Sequence, residues 1–153
     1  MTIALTPIGH VRGGRAEPDD DAWGPVEAEI VLDPAVLGPD AALGLDGFSH
    51  ATVVFVFDRI DPAKVERNAR HPRGRQDWPR VGILGQRGSP RPNRLGVTTC
   101  AVLGVSGMVI RVRGLDAIDG TPVLDIKPHM TGFDPRGPVR EPDWAREIML
   151  GYW

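Results

Sequence analysis

Apolar and polar residues alternate with a period of two along most of this chain, and few segments have helical spacing. The clearest runs are VEAEIVL (26–32), HATVVFVFDRI (50–60) and GVTTCAVLGVSG (96–107), in which β-branched residues are frequent. Shorter runs are TIALTPIGHV, RVGILG, MVIRVRGLD and PVLDIKP, each bounded by glycine, proline or aspartate. About seven short strands predict a mainly all-β fold, a small antiparallel barrel that is closed or nearly closed.

One segment near the end of the sequence has helical spacing, EPDWAREIMLGYW (141–153). Pro142 suits a first helical turn, and Glu141 and Asp143 suit the positive N-terminal end of a helix. Trp144, Ile148 and Tyr152 fall on one face. We predict a short helix that packs on its own barrel or on a partner.

Length and cysteine content bound the kind of protein. A chain of 153 residues fits a single domain, residues 1–153, that folds without disulfides. The single Cys100 excludes an internal disulfide and a cysteine-rich zinc site, so we expect a core thiol and no metal. The N-terminal residues lack a signal-peptide pattern, and the apolar run ATVVFVF is too short to span a bilayer. We therefore expect a cytoplasmic protein without a membrane partner.

Charge is unevenly distributed along the chain. The formal net charge is −2, yet residues 59–94 hold ten basic and three acidic side chains. A basic block of this kind is a possible electrostatic footprint for phosphate, and it is equally consistent with a solvated arginine-rich loop. The sequence also lacks a G-x-G-x-x-G loop, a Walker A loop, a zincin motif and a G-x-S-x-G elbow, so the common nucleotide-binding and hydrolase folds are unsupported.

Two segments carry candidate chemistry. In QRGSPRPNRLG (86–96), Pro90 and Pro92 flank Arg91 and stiffen the backbone that presents its guanidinium group. In GLDAIDGTPVLDIKP (114–128), the Asp-Gly step favours a turn with positive φ, and carboxylates there can accept from ribose hydroxyls or an amino group. Structural alternatives are a proline-shaped connection for the first segment and a solvated strand face for the second.

The sequences GLDGFSHATVVFVF, QRGSPRPNRLGVT and LDAIDGTPVLDIKP together resemble the TsaA-like (YaeB-like, TrmO) family over nearly the whole chain. The resemblance implies a small antiparallel β-barrel, S-adenosylmethionine as the cofactor, and a homodimer with the basic loop near the subunit boundary. The activity it implies is N6-methylation of threonylcarbamoyladenosine at tRNA position 37, which makes tRNA a possible partner.

Site residues follow from the same resemblance. Positions that match the family's cofactor-lining residues come from four parts of the sequence, and Asp21 and Trp23 occupy a segment where the family's P-R-Q pattern is replaced. The predicted cofactor-binding residues are Asp21, Trp23, Asp58, Arg59, Arg87, Gly96, Val97, Asp116, Asp119, Gly120, Thr121 and Pro122.

Arg91, Asn93 and Arg94 are assigned to the methyl acceptor or to phosphate. For the base that removes the acceptor proton the candidates are Asp125, His129 and His50, with Lys127 stabilising developing negative charge.

Departures from the family pattern fall around the acceptor. Arg94 and Leu95 replace the second proline and the isoleucine of P-N-P-I-G, and His129 replaces the tyrosine that usually follows D-I-K-P. Two alternatives therefore stay open: a methyltransferase that acts on a small amine or another metabolite, and a non-catalytic module that binds S-adenosylmethionine.

Overall fold

The computed structural model describes residues 1–153 and contains eight strands and one short α-helix. The strands are β1 Gly9–Arg12, β2 Glu27–Leu32, β3 His50–Val56, β4 Ala69–Arg70, β5 Val81–Gly82, β6 Leu95–Ser106, β7 Val109–Arg113 and β8 Pro122–Pro128, and the helix is α1 Asp143–Ile148. Six strands close into an antiparallel barrel in the order β1-β2-β7-β6-β3-β8, and β4 and β5 form a separate two-stranded sheet. The predicted β-barrel with a short C-terminal helix is confirmed, although RVGILG supplies only β5 and lies outside the barrel.

Every second side chain of the barrel strands faces the interior, and together these side chains fill it. Ala51, Val53 and Phe55 of β3 are each at most 1% exposed, while the residues between them are partly exposed. They pack in a single cluster with buried residues of the neighbouring strands, such as Ile30 and Val123. Full burial of each large aliphatic or aromatic side chain contributes about 1.5–3 kcal/mol, so this cluster is the main source of stability.

Cys100 belongs to the same core. The sequence predicted this position because the chain has no second cysteine. Cys100 is 2% exposed, and burial raises the pKa of its thiol to about 12. Because the thiolate is the reactive form of cysteine, Cys100 is a packing residue.

A β-bulge changes which residues of β8 face the core. Val54 pairs with Asp125, but its neighbour Phe55 pairs with Val123, so Leu124 is the extra residue of the bulge. Val123 is fully buried and Ile126 also packs against the core. The alternation of Asp125, Lys127 and His129 in the sequence predicts a regular β8 with Val123 on the same face, and that placement is wrong because the bulge shifts the alternation by one residue.

Phe55 and Gly96 approach each other closely across two barrel strands. They are paired residues of β3 and β6, and a Cβ atom on Gly96 would lie 2.4 Å from two ring carbons of Phe55. The Phe55 ring therefore occupies the space that a side chain at position 96 would need.

The basic block forms the connection between two adjacent strands. β3 and β6 are antiparallel neighbours, a relation that a two-residue turn can satisfy, yet residues 57–94 run between them. This excursion contains β4 and β5. No helix of the protein combines the length and the apolar character needed to cross a bilayer.

Residues 143–153, here called the docking segment, pack back onto the barrel. The backbone amides of Ala22 and Trp23 donate to the carbonyls of Gly151 and Tyr152 at 2.8 and 2.7 Å. In the first half of the docking segment, Glu147 Oε2 accepts a hydrogen bond from Trp78 Nε1 at 2.6 Å. Of the two locations predicted for this helix, the structure has it on its own barrel.

Tyr152 anchors the docking segment through its side chain. Its phenol donates a hydrogen bond to Asp116 Oδ2, and the residue is only partly exposed. Burial, and next the negative charge of Asp116, raise the pKa of Tyr152 above the ordinary value of 10.

We expect Gly96→Ala to destabilise the fold by about 1–3 kcal/mol, the usual cost of forcing extra volume into a packed core. The matched control is Gly104→Ala on the same strand, where a Cβ would meet nothing within 4 Å and the expected change is within about 0.5 kcal/mol. Urea denaturation of the two variants gives the difference. Equal stability of both would contradict the described packing of Phe55.

Alkaline titration tests the environment of Tyr152, which is the only tyrosine of the chain. Because its pKa is raised in the folded state, its contribution to stability is complete below the unfolded pKa of about 10 and is lost as the pH rises further. Ultraviolet absorbance should therefore show phenolate only together with loss of native circular dichroism. In urea the same residue should titrate normally, and a normal titration in the native protein would refute the buried contact.

Candidate functional site

Three long connections meet at one end of the barrel. Near the ends of β1, β3 and β7, Arg12 pairs with Glu29, Phe55 pairs with Gly96 and Val123, and Arg113 pairs with Glu27, all near the beginnings of β2, β6 and β8. The connections 13–26, 57–94 and 114–121 therefore leave from this end, which we call the loop end. The docking segment contacts it through residues 22 and 23 and through Asp116.

The predicted cofactor-binding residues all lie at the loop end or in the connections that form it. They come from the connection between β1 and β2, from the beginning and the last part of the basic excursion, from the first residues of β6, and from the segment that leads into β8. Antiparallel closure brings together residues that are about a hundred positions apart in sequence, as the 2.7 Å hydrogen bond from the Gly13 amide to Asp119 Oδ1 illustrates.

The predicted Asp-Gly turn is present. The amide of Thr121 donates to the carbonyl of Ile118 at 3.1 Å, and Gly120 has φ of 83°. This left-handed conformation at the third residue of a turn favours glycine. The turn fixes the Asp119 carboxylate against the β1–β2 connection.

Asp116 accepts two hydroxyl hydrogen bonds. Oδ1 accepts from the Thr98 hydroxyl and Oδ2 from the Tyr152 hydroxyl. Thr98 is 7% exposed and is part of β6, so one of the two donors is held by the barrel wall. The sequence analysis predicted Asp116 but did not include Thr98 or Tyr152, since nothing in the spacing links position 116 with position 152.

Two other predicted residues cross-link the connections. The Asp21 carboxylate forms an ion pair with Arg73 at 2.9 Å, and Arg59 Nη1 donates to the Ala16 carbonyl at 3.0 Å. Both contacts tie the β1–β2 connection to the basic excursion. Asp58, directly after β3, is exposed.

Trp23 is a packed residue in this structure. It is 3% exposed, its Nε1 donates to the Asp19 carbonyl at 3.0 Å, and the Arg15 guanidinium lies 4.5 Å from the ring centroid. Trp23 is therefore a buried structural tryptophan whose ring has little surface left for stacking on a cofactor.

The arginine-rich loop is held by its own side chains. Arg91 Nη1 donates to the Gln86 carbonyl at 2.7 Å, Arg94 Nη1 to the Ile60 carbonyl at 2.8 Å, and Arg87 Nη2 to the Val97 carbonyl at 2.6 Å. Asn93 and Arg94 have φ of 62° and 52°, a left-handed conformation that is costly for arginine and recurs at functional sites. The loop is therefore a rigid, locally strained structure.

The predicted base candidates lie elsewhere on the barrel. Asp125 and Lys127 are on the outer face of β8 and form an ion pair at 2.8 Å. His129 follows β8, and its Nε2 lies 3.0 Å from Asp134 Oδ1. Its amide donates to the carbonyl of His50 at 2.9 Å.

His129 and His50 are not brought together with the predicted cofactor residues within one chain, whereas Asp125 and Val97 both pair with Val54 and lie about 10 Å apart across three strands. With a rise of about 3.3 Å per residue, the seven steps along β8 put His129 roughly 20 Å from Pro122. His50, at the start of β3, lies at the same far end, and Asp125 is between the two ends. No group of three or more His, Cys, Asp or Glu side chains is arranged to hold a metal.

Comparison with known proteins gives the chain a family. The model of the family described as "tRNA-methyltransferase O N-terminal domain" matches residues 17–135. A Methanothermobacter thermautotrophicus protein named "Probable S-adenosyl-L-methionine-binding protein" is 38% identical over 143 residues, which cover 90% of this chain and 97% of that protein. The human "tRNA (adenine(37)-N6)-methyltransferase" is 36% identical over 100 residues, 65% of this chain and 22% of that protein.

Comparison with solved structures gives the same family. Two crystal structures of TrmO from Pseudomonas aeruginosa match with TM-scores of 0.74 and 0.72 at 26% identity, over 94% and 92% of this chain. This chain covers 62% of each TrmO chain. Because the family match includes more than half of the residues described here, the chain belongs to the tRNA-methyltransferase O (TrmO) family, through the N-terminal domain of that family.

Proposed function

We propose that this protein binds S-adenosylmethionine at the loop end and methylates N6 of an adenosine in tRNA, with threonylcarbamoyladenosine at position 37 as the acceptor. The observation that carries the proposal is the meeting of the predicted cofactor residues at one end of the barrel in a member of the TrmO family. Relatives that are named for binding S-adenosylmethionine and for methylating tRNA adenine support it.

The residue types at the loop end fit the cofactor. Asp58, Asp116 and Asp119 can accept from ribose hydroxyls or an ammonium group. Arg87 uses one nitrogen on the Val97 carbonyl and keeps other donors for a carboxylate. Val97, 44% exposed, offers an apolar surface beside them. When bound, S-adenosylmethionine supplies an activated methyl group.

Binding of tRNA is assigned to the basic excursion, residues 57–94. Its net positive charge attracts phosphate, and the stiff loop around Arg91 and Asn93 loses little conformational entropy when it contacts an acceptor. Arg67 and Arg80 flank the β4–β5 sheet, are exposed, and form no ion pair within the chain. They are therefore suited to contact the nucleic acid backbone.

The acceptor proton is removed, in this proposal, by a base of the same chain or of a second copy of the chain. Within one chain His129 lies roughly 20 Å from the residues proposed to hold the cofactor, which is too far for proton transfer. In the homodimer implied by family resemblance, the β8 face of one copy would meet the loop end of the other. His129 is the candidate for this base across the dimer, and Asp125, which pairs with the same residue of β3 as Val97 does, is the candidate within one chain.

A two-step calorimetric titration tests the main proposal. We expect S-adenosylmethionine to bind the protein, threonylcarbamoylated tRNA to bind the complex, and mass spectrometry to find a new methyl group on N6. Arg67→Gln and Arg80→Gln should each weaken tRNA binding severalfold and reduce the salt slope by about one, without changing cofactor affinity. They are cleaner variants than Arg91→Ala, which would also free the Gln86 carbonyl.

Arg111→Gln is the matched control, since Arg111 is an exposed arginine of β7 in the barrel wall and should leave tRNA affinity unchanged. Cofactor binding without salt-dependent RNA binding would refute the tRNA acceptor and indicate a metabolite. Methyl-donor consumption that no acceptor stimulates would refute catalysis.

Mixing two inactive variants tests the shared site. Arg87→Ala removes a proposed cofactor contact, and Asp125→Asn or His129→Ala removes a proposed base. In an equal mixture, half of the dimers contain one copy of each variant. If the base acts across the dimer, one of the two sites in each such dimer is intact. The expected activity is therefore about a quarter of the wild-type activity. Activity that stays near zero after joint refolding would assign both functions to one chain, and full activity of both base variants would refute these candidates.

A further inference from the structure

Asp116 has an unusual set of partners for a carboxylate that is largely removed from solvent. Its two oxygens each accept from a neutral hydroxyl, those of Thr98 and Tyr152. None of the ion pairs of the chain includes Asp116. The negative charge is thus stabilised by hydrogen bonds but is not neutralised by a cationic side chain.

Two hydroxyl donors leave part of the carboxylate available. An ionised carboxylate offers about four lone-pair sites, and Thr98 and Tyr152 use one on each oxygen. The remaining sites can accept from a cationic or hydroxyl donor. With both oxygens held, the carboxylate loses little freedom when such a donor binds.

The Tyr152 donor comes from the docking segment. That segment lies beyond the residues that match the family model, which end at position 135, whereas Asp116 lies within them. The amides of Ala22 and Trp23 hold the backbone on both sides, and a Cβ on Gly24 would lie 2.6 Å from the carbonyl carbon of Trp153. The position of the Tyr152 hydroxyl is therefore fixed by close backbone contacts.

Tyr152 also lies beside other predicted cofactor residues. Arg87 and Arg73 are close enough that their positive charges act to lower the pKa of its phenol, although burial and Asp116 outweigh them. Arg73 in turn pairs with Asp21. Tyr152 therefore contacts Asp116 directly and lies within electrostatic range of Arg87 and Arg73.

We propose that Tyr152 is a positioning residue for S-adenosylmethionine: through its hydrogen bond it holds the Asp116 carboxylate at the loop end, where that carboxylate accepts from the ammonium or a ribose hydroxyl of the cofactor. The docking segment thereby completes a cofactor site whose other residues belong to the family domain. The inference rests on the proposed function, because it assumes that S-adenosylmethionine binds at the loop end.

A double-mutant cycle on cofactor affinity tests this role. We expect Tyr152→Phe to raise the calorimetric Kd for S-adenosylmethionine about five- to tenfold, within the range of couplings in a shared hydrogen-bond network. In an Asp116→Asn background the same change should alter the Kd by less than about twofold, since Tyr152 acts through that carboxylate. Equal effects in both backgrounds, or no effect of Tyr152→Phe, would overturn the inference.

Two further variants separate positioning from general stability. Glu147→Ala removes the contact with Trp78, the other side-chain anchor of the docking segment, and should leave the Kd within about twofold. Gly24→Ala displaces the backbone beside Trp153 and leaves the side chains of Tyr152 and Asp116 unchanged. It should weaken cofactor binding as much as Tyr152→Phe does. If Tyr152→Phe does not fold, Gly24→Ala measured with and without Asp116→Asn gives the same cycle.

The outcomes distinguish this inference from the proposed function. Absence of S-adenosylmethionine binding to the wild-type protein would overturn both. Normal wild-type binding with an unchanged Kd for Tyr152→Phe and Gly24→Ala would overturn only the role of Tyr152. An equal loss in Glu147→Ala and Tyr152→Phe would show that docking of the segment, and not the hydroxyl, controls affinity, which also overturns the inference.

Discussion

Closure of the barrel by β8 is the constraint on which the rest of the structure depends. β8 pairs with β1 on one side and with β3 on the other, and this double pairing makes the sheet continuous. Because every neighbouring pair is antiparallel, closure also decides at which end each connection emerges. The β1–β2 connection, the basic excursion and the turn before β8 leave from the same end, so the topology of the barrel brings the parts of the candidate site together.

Packing inside the barrel restricts the residues that border this end. Gly96 is buried at the start of β6, next to the exposed Val97, and the Phe55 ring already occupies the space beside it. The glycine predicted as a cofactor-lining residue is thus also required by the core. Because the core requires glycine at position 96, variants there report mainly on stability and only secondarily on cofactor binding.

Sequence reasoning predicted the parts of the structure that depend on local patterns. Alternation identified the barrel strands, and the Asp-Gly step identified the turn at Gly120, because both are properties of a few consecutive residues. It misplaced Val123, since a bulge is not visible in the alternation of one strand. It also missed the contact between Asp116 and Tyr152, which depends on how a segment outside the barrel packs against a distant loop. A contact between two polar side chains that are far apart in the sequence leaves no periodic pattern from which it could be predicted.

The four carboxylates predicted at the loop end differ in what already balances their charge. Asp21 is paired with Arg73, and Asp119 accepts from the Gly13 amide. Asp116 is hydrogen-bonded only by hydroxyls, and Asp58 is exposed after β3. An ion pair leaves little net field for a ligand, whereas hydroxyl donors orient a carboxylate and leave its charge in place. The charge available to a cationic ligand is therefore concentrated at Asp116, Asp119 and Asp58, and of these three only Asp116 is held through both of its oxygens.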